Sequence, residues 1–287
     1  MRGLLAAELL KTRKRWLPYG LFVFMVIGVS LNMWGGGYVE WTSGDDPLLR
    51  QGAIRTFTLP YSLAALLDSG QFWGAVLVGM LAASVVATEH NWGTVKQALI
   101  RGQTRAQYLA VKLAALTLIA AVSLLTALGI GLAFSFLATT IAGLPLRFDV
   151  PGGPAPAEVP LMVLRAGYAV LPYGLLAFCL AVVGRSTAIG AAGVLVYVIG
   201  EGILLAIFEG IGGLAEDSRS LFIGHNVNAL IAANRIGHGD YNSMAFRETP
   251  TASELPDANV AALVITVYAL FFLAVAFYVF RRRDIRP

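Results

Sequence analysis

The sequence predicts an all-α membrane protein with six membrane-spanning helices. Of its 287 residues, 57% are hydrophobic and only 13% are charged, whereas about 25% are charged in a typical soluble protein. The mean hydropathy is +0.71. A helix needs roughly 20 apolar residues to cross a bilayer core of about 30 Å, and lipid offers no hydrogen bonds to backbone groups. The long apolar runs of this chain are therefore expected to be helices.

Six runs are long enough to be spans, and we treat residues 1–287 as one transmembrane domain. They are Leu17–Trp34, Phe72–Thr88, Leu109–Leu137, Leu161–Val183, Ala188–Phe208 and Val260–Phe280. The third run is longer than the roughly 20 residues required, so we expect this helix to tilt or to project beyond the bilayer.

Lys and Arg residues are concentrated on one side of this layout, which indicates that this side faces the cytoplasm. Of the 21 Lys and Arg residues, 14 lie in the N-terminal segment 1–16, in residues 89–112, at Arg185 and after residue 280. We therefore expect a multi-pass protein of the cell membrane with both termini in the cytoplasm. The N-terminal segment is expected to be an interfacial helix followed by an uncleaved first span.

Two longer segments fall on the opposite side of the predicted membrane, at residues 35–71 and 209–259. The second of these contains the run LFIGHNVNALIAAN, which begins at Leu221. This run is apolar but too short to cross a bilayer. We expect it to form a short helix packed at the outer membrane surface.

The polar stretch EHNWGTVKQALIRGQTRAQYLAVKL, residues 89–113, separates the second and third runs. Within it Thr94 precedes Gln97, and Thr104 precedes Gln107, by three residues each. This is the spacing of a capping box, in which the Thr side chain accepts from the later backbone N–H and the Gln side chain reaches back. The stretch therefore predicts two helix starts.

A glycine separates the two predicted helix starts. Gly102 suits a helix C-terminus because glycine takes positive φ without strain. The pattern predicts a short helix from Val95 to Arg101, a break at Gly102, and a new helix after Thr104. A rigid basic helix of this kind suits either contact with a partner or contact with anionic lipid headgroups.

The same stretch carries a set of residues at a characteristic spacing: Glu89, Gly93, Thr94, Leu99, Gly102, Arg105 and Lys112. Placed between the second and third of six spans, this set resembles the signature of ABC-2 type permeases, the membrane subunits of ATP-binding-cassette exporters. The large segment between spans five and six is similar to the layout of that family. Many relatives have proline where this chain has Arg101, Gly102 and Gln103, so the angle of the break is left open.

The resemblance implies that the short helix is a coupling helix, which would sit in a groove of a separate ATPase subunit. It implies an interface formed by Glu89, Gly93, Thr94, Lys96, Gln97, Leu99, Arg101, Gly102, Arg105 and Lys112. The chain has no G-x-x-x-x-G-K-[ST] motif to cradle phosphates, so ATP and Mg²⁺ are expected in the partner and no cofactor in this chain. A second permease copy, as a homodimer, is also implied; no nucleic acid partner is expected.

The fifth run carries a stripe of mostly small residues at helical spacing, formed by Ser186, Gly190, Gly193, Tyr197 and Gly200. Such a stripe lets two helices approach closely in a membrane. It favours either packing within the chain or a seam between two copies.

Two charged residues fall inside predicted spans, where charges are costly and usually functional. Arg165 lies in the fourth run and Glu201 in the fifth, both toward the outer side. We expect them to form an ion pair or polar patch near the outer mouth of a translocation pathway. The alternative is that Arg165 reaches to headgroups while Glu201 is protonated or contacts backbone.

Two other functions remain open from the residues alone. A secondary transporter would use intramembrane ions such as Glu201. An intramembrane enzyme would need a catalytic cluster, but the chain has no H-E-x-x-H or G-x-S-x-G motif and no carboxylate pair within a span. No catalytic residue and no metal site is predicted, and the transported substrate is not identified.

Overall fold

The computed structural model describes residues 2–43, 53–54, 57–91, 94–100, 102–144, 156–211, 218–234 and 255–282, and this part of the chain contains no β-strand. A wide π turn at Leu31–Gly36 joins the second helix to the third, and a 3₁₀ turn at Ser218–Leu221 precedes the ninth. The helices are α1 (Arg2–Arg13), α2 (Leu17–Ser30), α3 (Gly37–Ser43), α4 (Ser62–Asn91), α5 (Thr94–Ile100), α6 (Arg105–Ile141), α7 (Val159–Gly184), α8 (Thr187–Ile211), α9 (Ile223–Ala232) and α10 (Ala258–Arg282).

Within the described residues, six helical segments are long and apolar enough to cross a membrane. They lie in α2 continued by α3, and in α4, α6, α7, α8 and α10. The predicted all-α layout with six candidate spans is confirmed. The third of them, α6, has 37 residues, which corresponds to about 55 Å at 1.5 Å per residue. It exceeds the thickness of a bilayer core, as its sequence predicted.

The centre of the bundle is formed by α4 and α7. In their most apolar stretches, 67% of α4 and 61% of α7 is buried, against 28% or less in every other candidate span. Small side chains allow the close approach of these helices: Ala83 and Ala87 on α4, and Ala177 and Ala181 on α7, are fully buried. Against this pair pack α8 and α10, and α2 packs on α4. The outer helices therefore leave apolar faces available to lipid.

The bundle has two ends with different contents. One end holds α1, α5, the start of α6 and the end of α10, which touch one another through side chains described below; we call it the α1 end. The opposite end holds α9, and we call it the α9 end. The short helix predicted in the run that begins at Leu221 is present as α9, whereas its expected place at the outer membrane surface stays a prediction. Ile223, Val227 and Leu230 are buried, because α9 inserts against α7, α8 and α10.

The link between α7 and α8 is only two residues long, Arg185 and Ser186. Arg185 takes the left-handed conformation, with a φ of 53°, and ends α7 there. The carbonyl of Ser186 accepts from the N–H of Gly190 at 3.2 Å. A link this short makes α7 and α8 antiparallel neighbours.

The small-residue stripe of α8 packs within the chain at Gly190, at Gly193 and at Tyr197, whose ring lies against that of Tyr173 of α7 with centroids 6.4 Å apart. A Cβ on Gly190 would lie 2.7 Å from the Cβ of Ala83 and 2.9 Å from the carbonyl oxygen of Ala177. A Cβ on Gly193 would collide with a leucine of α7. Gly200, by contrast, faces open space. Packing within the chain therefore accounts for Gly190, Gly193 and Tyr197, while a seam between copies stays a prediction for Ser186 and Gly200.

We expect Gly190→Ala to destabilise the protein by about 1–3 kcal/mol, because the added methyl overfills a tightly packed contact. The matched change Gly200→Ala adds a methyl to open space, and is expected to be neutral or stabilising by up to about 1 kcal/mol, since alanine favours helix over glycine. Unfolding by SDS in mixed micelles measures both variants. Equal midpoints for the two would contradict the packing described here.

Candidate functional site

Local hydrogen bonds fix the break between α5 and α6. Gly102 has a φ of 87°, and its N–H donates to the carbonyl of Leu99 at 3.1 Å. The hydroxyl of Thr104 accepts from the N–H of Gln107 at 3.2 Å, and Oε1 of Gln107 accepts from the N–H of Thr104 at 3.1 Å. The predicted terminal glycine and this second capping box are confirmed. As a result, α5 is held at a defined place before the start of α6.

Behind α5 lies a buried lysine. The side chain of Lys112, on α6, is only 1% exposed. Its Nζ lies 2.7 Å from Oε1 of Glu8 and 3.3 Å from Oε2 of Glu89, and donates to the carbonyl of Val85 at 2.9 Å. Lys112 therefore connects α6 to α1 and to the end of α4 by contacts shielded from water.

Glu89 is the counterpart of this lysine on α4. Its side chain is 4% exposed. Oε1 accepts from Nζ of Lys11 at 2.9 Å, and Oε2 accepts from the hydroxyl of Tyr108 at 2.8 Å. Both carboxylate oxygens are thus engaged by groups from other helices. We call Glu8, Lys11, Glu89, Tyr108 and Lys112 the ion-pair cluster.

The C-terminal helix α10 joins the same site through aromatic and backbone contacts. The ring of Tyr108 stacks on Phe280, with centroids 5.4 Å apart and planes 8° from parallel. The guanidinium of Arg105 donates to the carbonyl of Arg281. The end of α10 is thereby tied to the start of α6.

The contribution of α1 is a helix with one buried edge. Glu8 and Thr12 are buried, and the hydroxyl of Thr12 donates to the carbonyl of Glu8 at 3.0 Å. Lys11 is more exposed, and it also approaches Glu8 at 3.4 Å. Burial lowers the pKa of Lys11, but the hydrogen bond to Glu89 and the negative charges of Glu89 and Glu8 outweigh this and raise it above the ordinary value of 10.5.

The ion-pair cluster balances two carboxylates against two ammonium groups. Charges in such a buried place cost several kcal/mol each unless they are paired and hydrogen-bonded, and here each one has a partner. Such a network is weak evidence for net stability, but it fixes one arrangement of the helices, because any other leaves a buried charge unpaired. The contacts of the ion-pair cluster hold α1, α4 and α6 in one relative arrangement.

The short helix has an inner and an outer face. Val95 is buried, and Ala98 and Leu99 pack against the core. Gln97 is exposed, and Ile100 is 77% exposed. One face of α5 therefore anchors it to the bundle, while the other presents an amide and an isoleucine side chain.

Several residues of the predicted interface have a different place in the structure. Glu89 and Lys112 are buried within the chain, so they support α5 from behind; their assignment to an ATPase-coupling interface stays a prediction. Leu99 also packs inward. Gly93 and Arg101, together with the side chains of Thr94 and Lys96, lie outside the described residues.

Sequence reasoning missed three members of the cluster, Glu8, Lys11 and Tyr108. A signal was available for Glu8, because it is one of few acidic residues on the basic side of the chain. An isolated acid in such a place is typical of a residue that has a basic partner. Nothing in the local sequence distinguishes Tyr108 from the other tyrosines.

At the α9 end, the two charges predicted inside spans contact the same helix. Glu201 is 5% exposed, and its Oε1 accepts from the N–H of Gly224 at 2.7 Å and from the hydroxyl of Tyr197 at 3.3 Å. Gly224 is in the first turn of α9. Arg165 donates to the carbonyl of Ala233 at 3.1 Å, just after the last residue of α9.

The predicted ion pair between Arg165 and Glu201 is therefore wrong. The two side chains hold opposite ends of a ten-residue helix, which is about 15 Å long. The negative charge lies at the N-terminus of α9 and the positive charge at its C-terminus, the arrangement that the helix dipole favours. Whether this region also borders a translocation pathway stays a prediction.

The burial of His225 in α9 predicts that the stability of the folded protein depends on pH. Burial lowers its pKa below the ordinary value of 6.5, and the positive charge of Arg219 lowers it further. The neutral form is favoured when folded, so this stability is present above pH 6.5 and is lost as the pH falls through the folded pKa. We expect stability to drop between about pH 7 and pH 5, and to drop less in His225→Gln. If the unfolding midpoints of the wild type and of His225→Gln changed with pH in the same way, this prediction would be contradicted.

Comparison with known proteins adds one match. Residues 68–286 match a family described as "Protein of unknown function (DUF2705)". No match to a curated protein was found. The matched region begins within α4 and ends just after α10, so it includes α5, most of the ion-pair cluster and α9.

Proposed function

The chain belongs to the DUF2705 family, whose description names no activity, and from the site we propose that it is the permease subunit of an ABC-2 type transporter. In this proposal the chain forms the substrate pathway in the cell membrane, and a separate ATPase subunit binds ATP and Mg²⁺. The chain itself is a transport subunit and not an enzyme. The observation that carries the proposal is that α5 packs on α4 and α6, the two helices that the ion-pair cluster joins.

This arrangement suits the transmission of a displacement. A force on α5 reaches α4 and α6 directly, and the cluster passes it to α1 through Glu8 and Lys11. The contact of Tyr108 with Phe280 passes it to α10. Because packed interfaces shift between discrete arrangements and do not deform continuously, these helices would move together when α5 moves.

The outer face of α5 suits a protein partner. Ile100 is an exposed apolar side chain at the end of α5, and Arg105 lies five residues further on, at the start of α6. Apolar side chains at the centre and basic ones at the rim are common in protein interfaces. With the α1 end in the cytoplasm, as the positions of Lys and Arg favour, this face meets a cytoplasmic ATPase. A second copy completes the pathway, and the resemblance to exporters supports outward transport.

The proposal is tested by copurification from detergent-solubilised native membranes. We expect a cassette ATPase to copurify with the tagged wild type and to be lost in Ile100→Asp, which places a charge at the contact. The matched control is Ile141→Asp: Ile141 is 79% exposed, comparable to Ile100, but lies at the opposite end of α6. The control is expected to retain the ATPase.

Two outcomes contradict the proposal. One is that no cassette ATPase copurifies with the wild type. The other is that Ile100→Asp retains as much ATPase as Ile141→Asp. Either result would make α5 a connector that faces lipid headgroups. For a secondary transporter, Glu201 offers little support, since its carboxylate is engaged with the first turn of α9.

A further inference from the structure

An apolar cavity of about 340 Å³ lies between α2, α4, α6 and α7. No charged side chain lines it. Its walls include Val29 of α2, Val78 of α4, Leu116 and Leu124 of α6, and Val170 of α7. All four helices contain candidate spans, so the cavity lies at the depth of the bilayer.

Small residues on the wall helices leave this space open. The cavity is bordered by Ala120 and Ala127 on α6 and by Gly167 and Gly174 on α7. The wall formed by α2 is lightly packed, because α2 contains no buried residue. An unfilled space of this kind forfeits dispersion contacts along its whole lining, so an apolar occupant is favoured.

Three polar side chains at the cavity are engaged elsewhere, whereas the indole N–H of Trp34, which also lines it, has no hydrogen-bond partner in the described part of the chain. The hydroxyl of Ser30 donates to the carbonyl of Val26 at 2.6 Å, and that of Thr117 donates to the carbonyl of Leu113 at 2.9 Å. The amide of Gln71 donates to the side chain of Asn228. A buried water needs two to four polar partners, and apolar cavities remain dry. One unpaired N–H is fewer than the polar partners that a buried water needs, and no charged side chain is present, so the lining disfavours water and ions.

The size and setting of the cavity select one class of ligand. Its volume falls at the lower end of the range of about 300–1,000 Å³ that is typical of ligand pockets, and an apolar cavity less than half as large is known to bind benzene. We propose that this cavity binds the hydrocarbon chain of a membrane amphiphile. The bilayer supplies such chains at this depth. The proposal does not depend on the proposed transport function, because it concerns the purified chain alone.

The test is saturable photolabelling of the purified full chain in detergent. The probe is hexadecanol that carries a diazirine within its chain. We expect labelling of peptides from α2, α6 and α7 that saturates and is competed by unlabelled hexadecanol. Ala127→Phe fills the cavity and is expected to reduce the saturable labelling several-fold. The matched control, Ala133→Phe, changes an exposed alanine of α6 that does not line the cavity, and should label as the wild type does.

Size-exclusion chromatography checks that each variant is folded, and Ala120→Leu provides a milder filling change at a second position. Labelling that does not saturate, or that is equal in Ala127→Phe, Ala120→Leu and Ala133→Phe, overturns the proposal. That result is also expected if another segment of the chain fills the cavity. Mass spectrometry of the molecules that copurify with the protein without probe identifies the source of the bound hydrocarbon chain. The source is either a bilayer phospholipid or a different amphiphile carried as cargo, and both of these support the proposal.

Discussion

Lys112→Met is expected to lower the free energy of unfolding by about 3–5 kcal/mol, the usual cost of breaking a buried ion pair from one side. Methionine is similar in length to lysine but uncharged, so it fills the space of the lysine side chain without neutralising the carboxylates of Glu8 and Glu89. Glu8 and Glu89 would then share the single, more exposed charge of Lys11. We expect a large decrease in the SDS concentration at the unfolding midpoint.

The matched control for this change is Lys14→Met. Lys14 is exposed, and changes at exposed sites away from such networks usually stay within about 0.5 kcal/mol. A double-mutant cycle of Lys112→Met with Glu8→Gln isolates the contact, with an expected coupling of about 0.5–3 kcal/mol. Equal losses for Lys112→Met and Lys14→Met, or a coupling of zero, would contradict the role of the cluster in holding α1 to α6.

The second large effect is expected from Glu201→Leu. It leaves the N–H of Gly224 buried without an acceptor, at a cost of about 1–3 kcal/mol, and removes a favourable charge from the N-terminus of α9, worth up to about 2 kcal/mol. The helix should then open more often. We expect faster hydrogen exchange of the amides of residues 224–232, together with a lower unfolding midpoint.

Glu201→Gln serves as a graded control, because it keeps the acceptor oxygen and loses only the charge. Its effect is expected to be smaller than that of Glu201→Leu. Arg165→Met tests the other end of α9, and is expected to speed exchange in the same helix since the carbonyl of Ala233 loses its donor. Unchanged exchange in both Glu201→Leu and Arg165→Met would contradict a role of the two charges in capping α9.

Features that depend on neighbouring residues could be predicted from the sequence. The six candidate spans follow from the length of apolar runs, because a helix satisfies its own backbone and needs only enough apolar residues. The break before α6 follows from Gly102, Thr104 and Gln107, since a terminal glycine and a capping box use contacts within four residues. The functional role of α5 rests on a resemblance, and stays a prediction.

Contacts between distant parts of the chain could not be predicted in this way. Glu8 lies 104 residues before Lys112, and Lys11 lies 78 residues before Glu89. The resemblance to ABC-2 permeases assigns Glu89 and Lys112 to the coupling interface, and no local pattern indicates that their side chains are buried. Burial instead depends on α1 folding over them, which no local pattern in α4 or α6 records.

The same distinction explains Arg165 and Glu201. Hydropathy and helix geometry placed each of them in a span toward the outer side, and helices do occupy those positions. An ion pair or a polar patch is the expected way to compensate two opposite charges on the same side of the membrane. The structure inserts α9 between the spans, and its two ends offer an unpaired N–H and an unpaired carbonyl. Local sequence thus sets which segments become helices, whereas the partner of each buried charge depends on which helix ends the packing brings beside it.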